Sequence, residues 1–177
     1  ANKPRLDVVR RAASKPTPVM PIWIAVSTGG LPVISGVGMA EGKAITAAEF
    51  LGSDCVSLWS GVVRDDAAEN EVWDRLIAAL QLVLHAAHDH GVTLGLEPEP
   101  GMFIDTMARF AELQERLNAP HLKLTLDIGH LHCMGETPLA DYIARYGSEL
   151  VNVHIEDMRH GIHEHLQFGD GEIDFPP

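Results

Sequence analysis

The run "HLKLTLDIGH", residues 121–130, alternates strictly: Leu122, Leu124 and Leu126 fall on one phase, Lys123, Thr125 and Asp127 on the other. Successive side chains of a strand point to opposite faces. One face here is therefore aliphatic and suited to packing under helices, while the other is polar and ends on a carboxylate. The pattern recurs. In "VTLGLE", residues 92–97, Val92, Leu94 and Leu96 oppose Thr93, Gly95 and Glu97. In "VNVHIE", residues 151–156, Val151, Val153 and Ile155 oppose Asn152, His154 and Glu156, and in "CVSLWS", residues 55–60, Val56 and Leu58 oppose Ser57 and Trp59.

Between these runs lie helical stretches, at about 66–90 with Val72, Leu76, Leu80, Val83 and Leu84 at helical spacing, at 105–117 and at 138–146. Strands alternating with helices imply parallel pairing through helical crossovers. Parallel strands end on a common rim, so Glu97, Asp127 and His154 should converge there; they are spaced one β-α unit apart. A doubly wound open sheet buries both faces of its central strands and reads aliphatic on both. A (β/α)8 barrel tolerates a polar inner face near its mouth and carries its active site at that rim, so the expected fold is an α/β barrel of the TIM type.

Residues 1–50 do not keep this rhythm and form an atypical N-terminal part of what is expected to be one domain spanning 1–177, with the repeats over 51–177. Residues 16–40 carry no charge, but four prolines and four glycines divide them, which excludes a continuous apolar helix across a membrane. Two short buried strands, 22–27 and 31–37, joined by a turn at Gly29-Gly30, are the expected reading.

A formal charge of -12 with no basic run argues against a nucleic-acid partner. Two cysteines, Cys55 and Cys133, make no disulfide framework, and a reducing, cytoplasmic setting is expected.

Glu97, Asp127 and His154 offer a mixed oxygen and imidazole ligand set that suits Mn2+, Mg2+, Co2+ or Zn2+. Any one of them alone has an ordinary structural reading. Their common phase on successive strands is what points to a shared site. His130 lies three residues beyond Asp127 and within reach of a metal or a substrate hydroxyl. His163 and His165 form an H-x-H pair ahead of Gly169 and Gly171, which permit a turn over the mouth. With Trp59 and Glu156, these two histidines are candidate substrate contacts.

At "LGLEPEPG", "LTLDIGHLH", "NVHIEDM" and "HEHLQFGDGEIDF", in that order and at those separations, the chain resembles the xylose isomerase-like barrel superfamily, in its branch of sugar-phosphate isomerases and epimerases related to endonuclease IV. The resemblance covers about 51–177. It implies a divalent ion held by Glu97, Asp127 and His154, a sugar or sugar-phosphate substrate, and proton abstraction through an enediolate with Glu97 as one of two bases. His130 matches a histidine that binds metal in the multi-zinc endonucleases. Those nucleases carry Asp-x-His where this chain reads His163-Glu164-His165, which weakens a multi-zinc phosphodiesterase as the alternative. A non-catalytic metal-binding remnant is the other alternative. The second glutamate should follow His154 by about one repeat, beyond Pro177, so the barrel is expected to be shortened to five or six parallel strands, with open edges that invite pairing with another copy.

Overall fold

The computed structural model describes residues 23–28, 31–36 and 41–175, with side chains described from Lys43 to Phe175. The β-α rhythm is realised in one six-stranded sheet. Its strands are β1 (Trp23–Thr28), β2 (Leu31–Gly36), β3 (Cys55–Trp59), β4 (Thr93–Leu96), β5 (Leu122–Asp127) and β6 (Leu150–His154), in the spatial order β2-β1-β3-β4-β5-β6. The helices are α1 (Glu41–Leu51), α2 (Glu69–Asp89), α3 (Met107–Leu117), the short α4 (Ile128–Cys133) and α5 (Leu139–Tyr146). A separate antiparallel hairpin, β7 (Asp157–Arg159) with β8 (Ile162–Leu166), follows β6.

Four strands, β3 to β6, run parallel. The other two do not: β1 pairs antiparallel with both β2 and β3. Only two residues separate β1 from β2, and a parallel return needs a crossover of about a dozen or more. The expected Gly29-Gly30 turn and the burial of these two strands lie outside the described residues. The architecture is thus a partial TIM-type barrel with a four-stranded parallel segment. Among the described residues, no helix is long and apolar enough to cross a membrane.

The aliphatic phase of β3, β4 and β5 builds the core as its alternation requires. Val56, Leu58, Leu94, Leu96, Leu122, Leu124 and Leu126 are all at most 1% exposed and pack with Trp73, Leu76 and Leu80 of α2 and Phe110 and Leu113 of α3. Trp73 is clamped by an edge-on contact with Phe103 and by the Arg116 guanidinium 4.6 Å from its ring centroid. The side chain of Thr106 caps α3 by accepting from Arg109 N at 3.3 Å, and Asn118 ends that helix in the left-handed region.

Strand β6 departs from its expected alternation. Its register against β5 slips between Leu124 and Thr125, which pair with Leu150 and Asn152, so Val151 is an extra, bulged residue. Leu150 takes the core position. Val151 turns to the inner face, where its Cγ2 would stand 2.8 Å from a Cβ placed on Gly95. Val153 and Ile155 keep the outer face but are 43% and 59% exposed, and β6 is the last strand in the sheet order among the described residues.

Candidate metal centre

The strand ends bring the expected residues together. Glu97 follows β4, Asp127 closes β5 and His154 closes β6, and each of the three offers a ligand atom within 4.8 Å of those of the other two. His154 Nδ1 donates to Glu97 Oε1 at 3.0 Å and lies 3.8 Å from Asp127 Oδ2. Asp127 divides its two oxygens. Oδ1 caps α4 by accepting from Gly129 N at 2.7 Å and His130 N at 3.1 Å, which leaves Oδ2 facing the site.

His130, carried inward by the first turn of α4, is 4% exposed. Its Nδ1 faces the Pro98 carbonyl at 3.1 Å, and a carbonyl only accepts, so the proton is on Nδ1. Its Nε2 is then an acceptor, and His163 Nε2, 3.2 Å away, is the donor to it. Burial holds the His130 imidazolium well down, to about 4, against the upward pull of Asp127. His165 Nδ1 donates to Glu156 Oε1 at 2.6 Å. The β7-β8 hairpin thus returns both hairpin histidines and Glu156 to the rim, as the H-x-H spacing suggests. Trp59, at the end of β3, stands on the same rim, with its indole N–H turned to the Glu99 carboxyl, whose pKa it acts to lower.

Three residues with a clear place in this arrangement do not stand out in the sequence. Glu99, two residues past Glu97 and so on the same phase, has its carboxylate 3.3 Å from His163 Nε2 and 3.6 Å from His130 Nε2. Asn152, two residues before His154, contacts that ring. Asp157, 1% exposed, accepts from Met158 N, Gly169 N, Gly171 N and Ile173 N and so pins the "FGDGEID" loop under the hairpin. Burial acts to raise the Asp157 pKa, but the backbone donors outweigh it and the carboxyl sits below its ordinary range. Gly171 allows this fit, since an added Cβ would meet Asp157 Oδ1 at 2.2 Å. The doublet of "EPEP" and the repeat of glycines at 169 and 171 are the available signals; nothing local distinguishes Asn152.

The site is strongly acidic and partly unsatisfied. Glu97 is 1% exposed and its Oε2 has no hydrogen-bond partner. Burial raises its pKa, against the lowering contact of His154. Burial and then the neighbouring Glu97 push Glu99 up to about 8. A buried carboxylate oxygen without a partner, beside a second carboxylate and an imidazole nitrogen, is a donor set suited to a cation. Glu97, Asp127 and His154 therefore fit a divalent ion.

The Glu99 shift has a testable consequence in the metal-stripped chain. Between 4.5, its ordinary value, and about 8, the folded chain holds a proton on Glu99 that the unfolded chain has lost, so this group subtracts stability as pH rises through that window. His130 acts with the opposite sign, adding stability as pH rises from about 4 to 6.5. Glu99→Gln should leave the melting temperature in EDTA nearly unchanged at pH 5 and raise it at pH 8. Equal differences at both pH values, measured by calorimetry, would contradict the burial of an ionising Glu99.

With the geometry in place, comparison with known proteins identifies its relatives. A model of the xylose isomerase-like TIM barrel family matches residues 42–177. The L-ribulose-5-phosphate 3-epimerase UlaE of Escherichia coli is 28% identical over 133 residues, which is 75% of this chain and 46% of that protein. A D-tagatose 3-epimerase-like protein of known structure superposes with a TM-score of 0.66 at 25% identity, over 75% of this chain and 52% of that one. The IOLI protein, solved with a zinc atom bound, shares the fold at a TM-score of 0.63 and 22% identity, over 76% of this chain and 51% of that one. The chain spans about half the length of the curated relatives it matches.

Proposed function

The chain belongs to the xylose isomerase-like TIM barrel family, and from that premise we propose that it carries the metal-binding half-site of a sugar or sugar-phosphate epimerase or isomerase. The observation that carries this reading is the meeting of Glu97, Asp127 and His154 at one rim, with Glu97 Oε2 buried and unpartnered. The sugar epimerases among its relatives support the reaction class.

Glu97, Asp127 and His154 would hold the ion. When bound, a divalent ion supplies Lewis-acid polarisation of adjacent substrate oxygens. Glu97 takes a proton from the carbon next to the ketose carbonyl. Its burial raises its pKa above the ordinary carboxylate value and so its basicity, which favours a general base. His130 stays neutral and its Nε2 accepts from His163 Nε2–H, which fixes both rings at the rim where a substrate hydroxyl would compete for that contact. Glu156 fixes His165 at the rim, and Trp59 lends the mouth an apolar wall. Epimerisation further requires an acid on the opposite face of the enediolate to return the proton.

The test is exchange of the carbon-bound proton. The full chain, loaded in turn with Mn2+, Mg2+, Co2+ and Zn2+, is incubated in D2O with ketopentoses, ketohexoses and their phosphates. Deuterium entry beside the carbonyl, seen by NMR, is the expected result; its absence with every substrate, in protein that has bound the ion, removes the proposal. The group His130, His163 and His165, also within ligand distance of one another, favours a multi-zinc phosphodiesterase as the second reading. More than one zinc per chain together with cleavage of abasic DNA would establish that reading instead. The uncovered Val153 and Ile155 on the edge strand β6 support self-association, to be read by analytical ultracentrifugation. The buried free thiols of Cys55 and Cys133 agree with a reducing, cytoplasmic setting.

A further inference from the structure

We infer that Asn152 is a positioning residue for His154, and that its side-chain amide reverses when the site takes up its ion. The inference rests on the reading of Glu97, Asp127 and His154 as an ion-holding set.

Of the two ring nitrogens of His154, Nδ1 faces the carboxylates, 3.0 Å from Glu97 Oε1 and 3.8 Å from Asp127 Oδ2. Nε2 faces away, 3.1 Å from Asn152 Nδ2. The same Asn152 nitrogen lies 3.3 Å from Ser57 Oγ, and Ser57 Oγ lies 2.7 Å from Thr125 Oγ1. Ser57 and Thr125 are 1% and 0% exposed, so the inner end of this chain of polar groups across β3, β5 and β6 has no water to fall back on, while Asn152 and His154 at its outer end are half-buried. The two hydroxyls must be matched within the chain.

Without an ion the pattern is self-consistent. Nδ1–H donates to the Glu97 carboxylate, Nε2 is an acceptor, and the Asn152 amide donates to Nε2 and to Ser57 Oγ. Ligation reverses the first link. A nitrogen that binds a cation must offer its lone pair, so Nδ1 gives up its proton and the neutral ring carries it on Nε2. An Asn152 NH2 group would then face an N–H. Rotation of the amide by half a turn brings Oδ1 to that position, where it accepts from Nε2–H. The two hydroxyls follow without moving their oxygens: Ser57 O–H donates to Asn152 Oδ1, and Thr125 O–H donates to Ser57 Oγ. The inner-face polar residues of three strands thus act as one rotatable partner for the ligand ring, of the kind that fixes the tautomer of metal-bound histidines.

The test is divalent-ion affinity of the full chain, titrated calorimetrically with Zn2+ and Mn2+, for the wild type, Asn152→Leu and Asn152→Asp. Folding of each variant is checked by circular dichroism. Asn152→Leu, which removes the acceptor, should bind about 10- to 100-fold more weakly. Asn152→Asp, whose carboxylate accepts from Nε2–H without turning, should bind at least as tightly as the wild type. In the Zn2+-loaded wild type, the His154 ring, assigned by its loss in His154→Gln, should show its proton on Nε2 by 15N NMR. The inference is overturned if Asn152→Leu binds within about twofold of the wild type, if Asn152→Asp weakens binding as much as Asn152→Leu, or if the loaded ring is not protonated at Nε2. Failure of the wild type to bind either ion overturns the ion-site reading and the inference together. Binding that Glu97→Gln abolishes and Asn152→Leu leaves intact overturns the inference alone.

Discussion

Replacement of Glu97 by glutamine is expected to lower turnover by roughly 10²- to 10⁴-fold, the range a positioned general base contributes, and to cost most of the divalent-ion affinity as well. The change is nearly isosteric, so the loss is not one of packing. The introduced amide would keep the contact of its oxygen with His154 Nδ1 and would place an NH2 where the unpartnered Glu97 Oε2 now lies. It would remove a buried negative charge whose ionisation is disfavoured first by burial and then, in part, by Asp127. In EDTA the variant should therefore melt higher than the wild type, while in Mn2+ or Zn2+ it should gain less from the ion. Opposite signs in the two conditions are what distinguish a functional charge from a structural one. If neither turnover nor ion affinity responds, the rim does not hold the site.

The second large effect is expected at Gly95, in the middle of β4. A Cβ there would stand 2.5 Å from Thr125 Oγ1 and 2.8 Å from Val151 Cγ2. Both neighbours belong to other strands of the sheet, and Thr125 cannot retreat without breaking its 2.7 Å hydrogen bond to Ser57. Gly95→Val should thus cost about 3 kcal/mol or more, at the upper end of overpacking effects, read as a fall in denaturation midpoint. It should also weaken ion binding, because forcing β5 and β6 apart separates Asp127 from His154. A variant as stable as the wild type would mean that the inner face of the sheet is looser than these distances allow.

Much of the site is legible in the sequence because its spacing reports geometry directly. Glu97, Asp127 and His154 each sit on the polar phase of a strand, and one β-α unit separates each from the next. Parallel pairing alone then brings them together. His130 is legible from its place one helical turn beyond Asp127, and His163 and His165 from their shared phase, although the hairpin that returns them to the rim reads in sequence only as a loop. The placement of helix α2 is also plain, since its apolar residues recur at helical spacing over Glu69–Asp89.

The departures have a common origin. Alternation puts Val151 on the outer face with Val153 and Ile155, because nothing in "VNVHIE" interrupts it. The bulge that turns Val151 inward is a property of the pairing between β5 and β6, not of either strand. The antiparallel course of β1 against β3 likewise depends on strand order in the sheet. Asp157 reads as one more acid in a charged tail, whereas it is the buried anchor of the loop 169–173.

By itself, then, the sequence determined which residues share a face and which strand ends share a rim, because those follow from steric alternation and repeat length within a short span of chain. Only the tertiary structure decided which atom of each residue faces which partner: Asp127 Oδ1 the cap and Oδ2 the rim, His154 Nδ1 the carboxylates and Nε2 Asn152. It also decided that Glu99 titrates at about 8 and that His130 stays neutral. The partners that settle these matters are far away in the chain: His154 and Glu97 are 57 residues apart, and Asn152 and Ser57 are 95 apart. Hydrogen-bond direction and local dielectric arise from such neighbours, and these exist only once the sheet has formed.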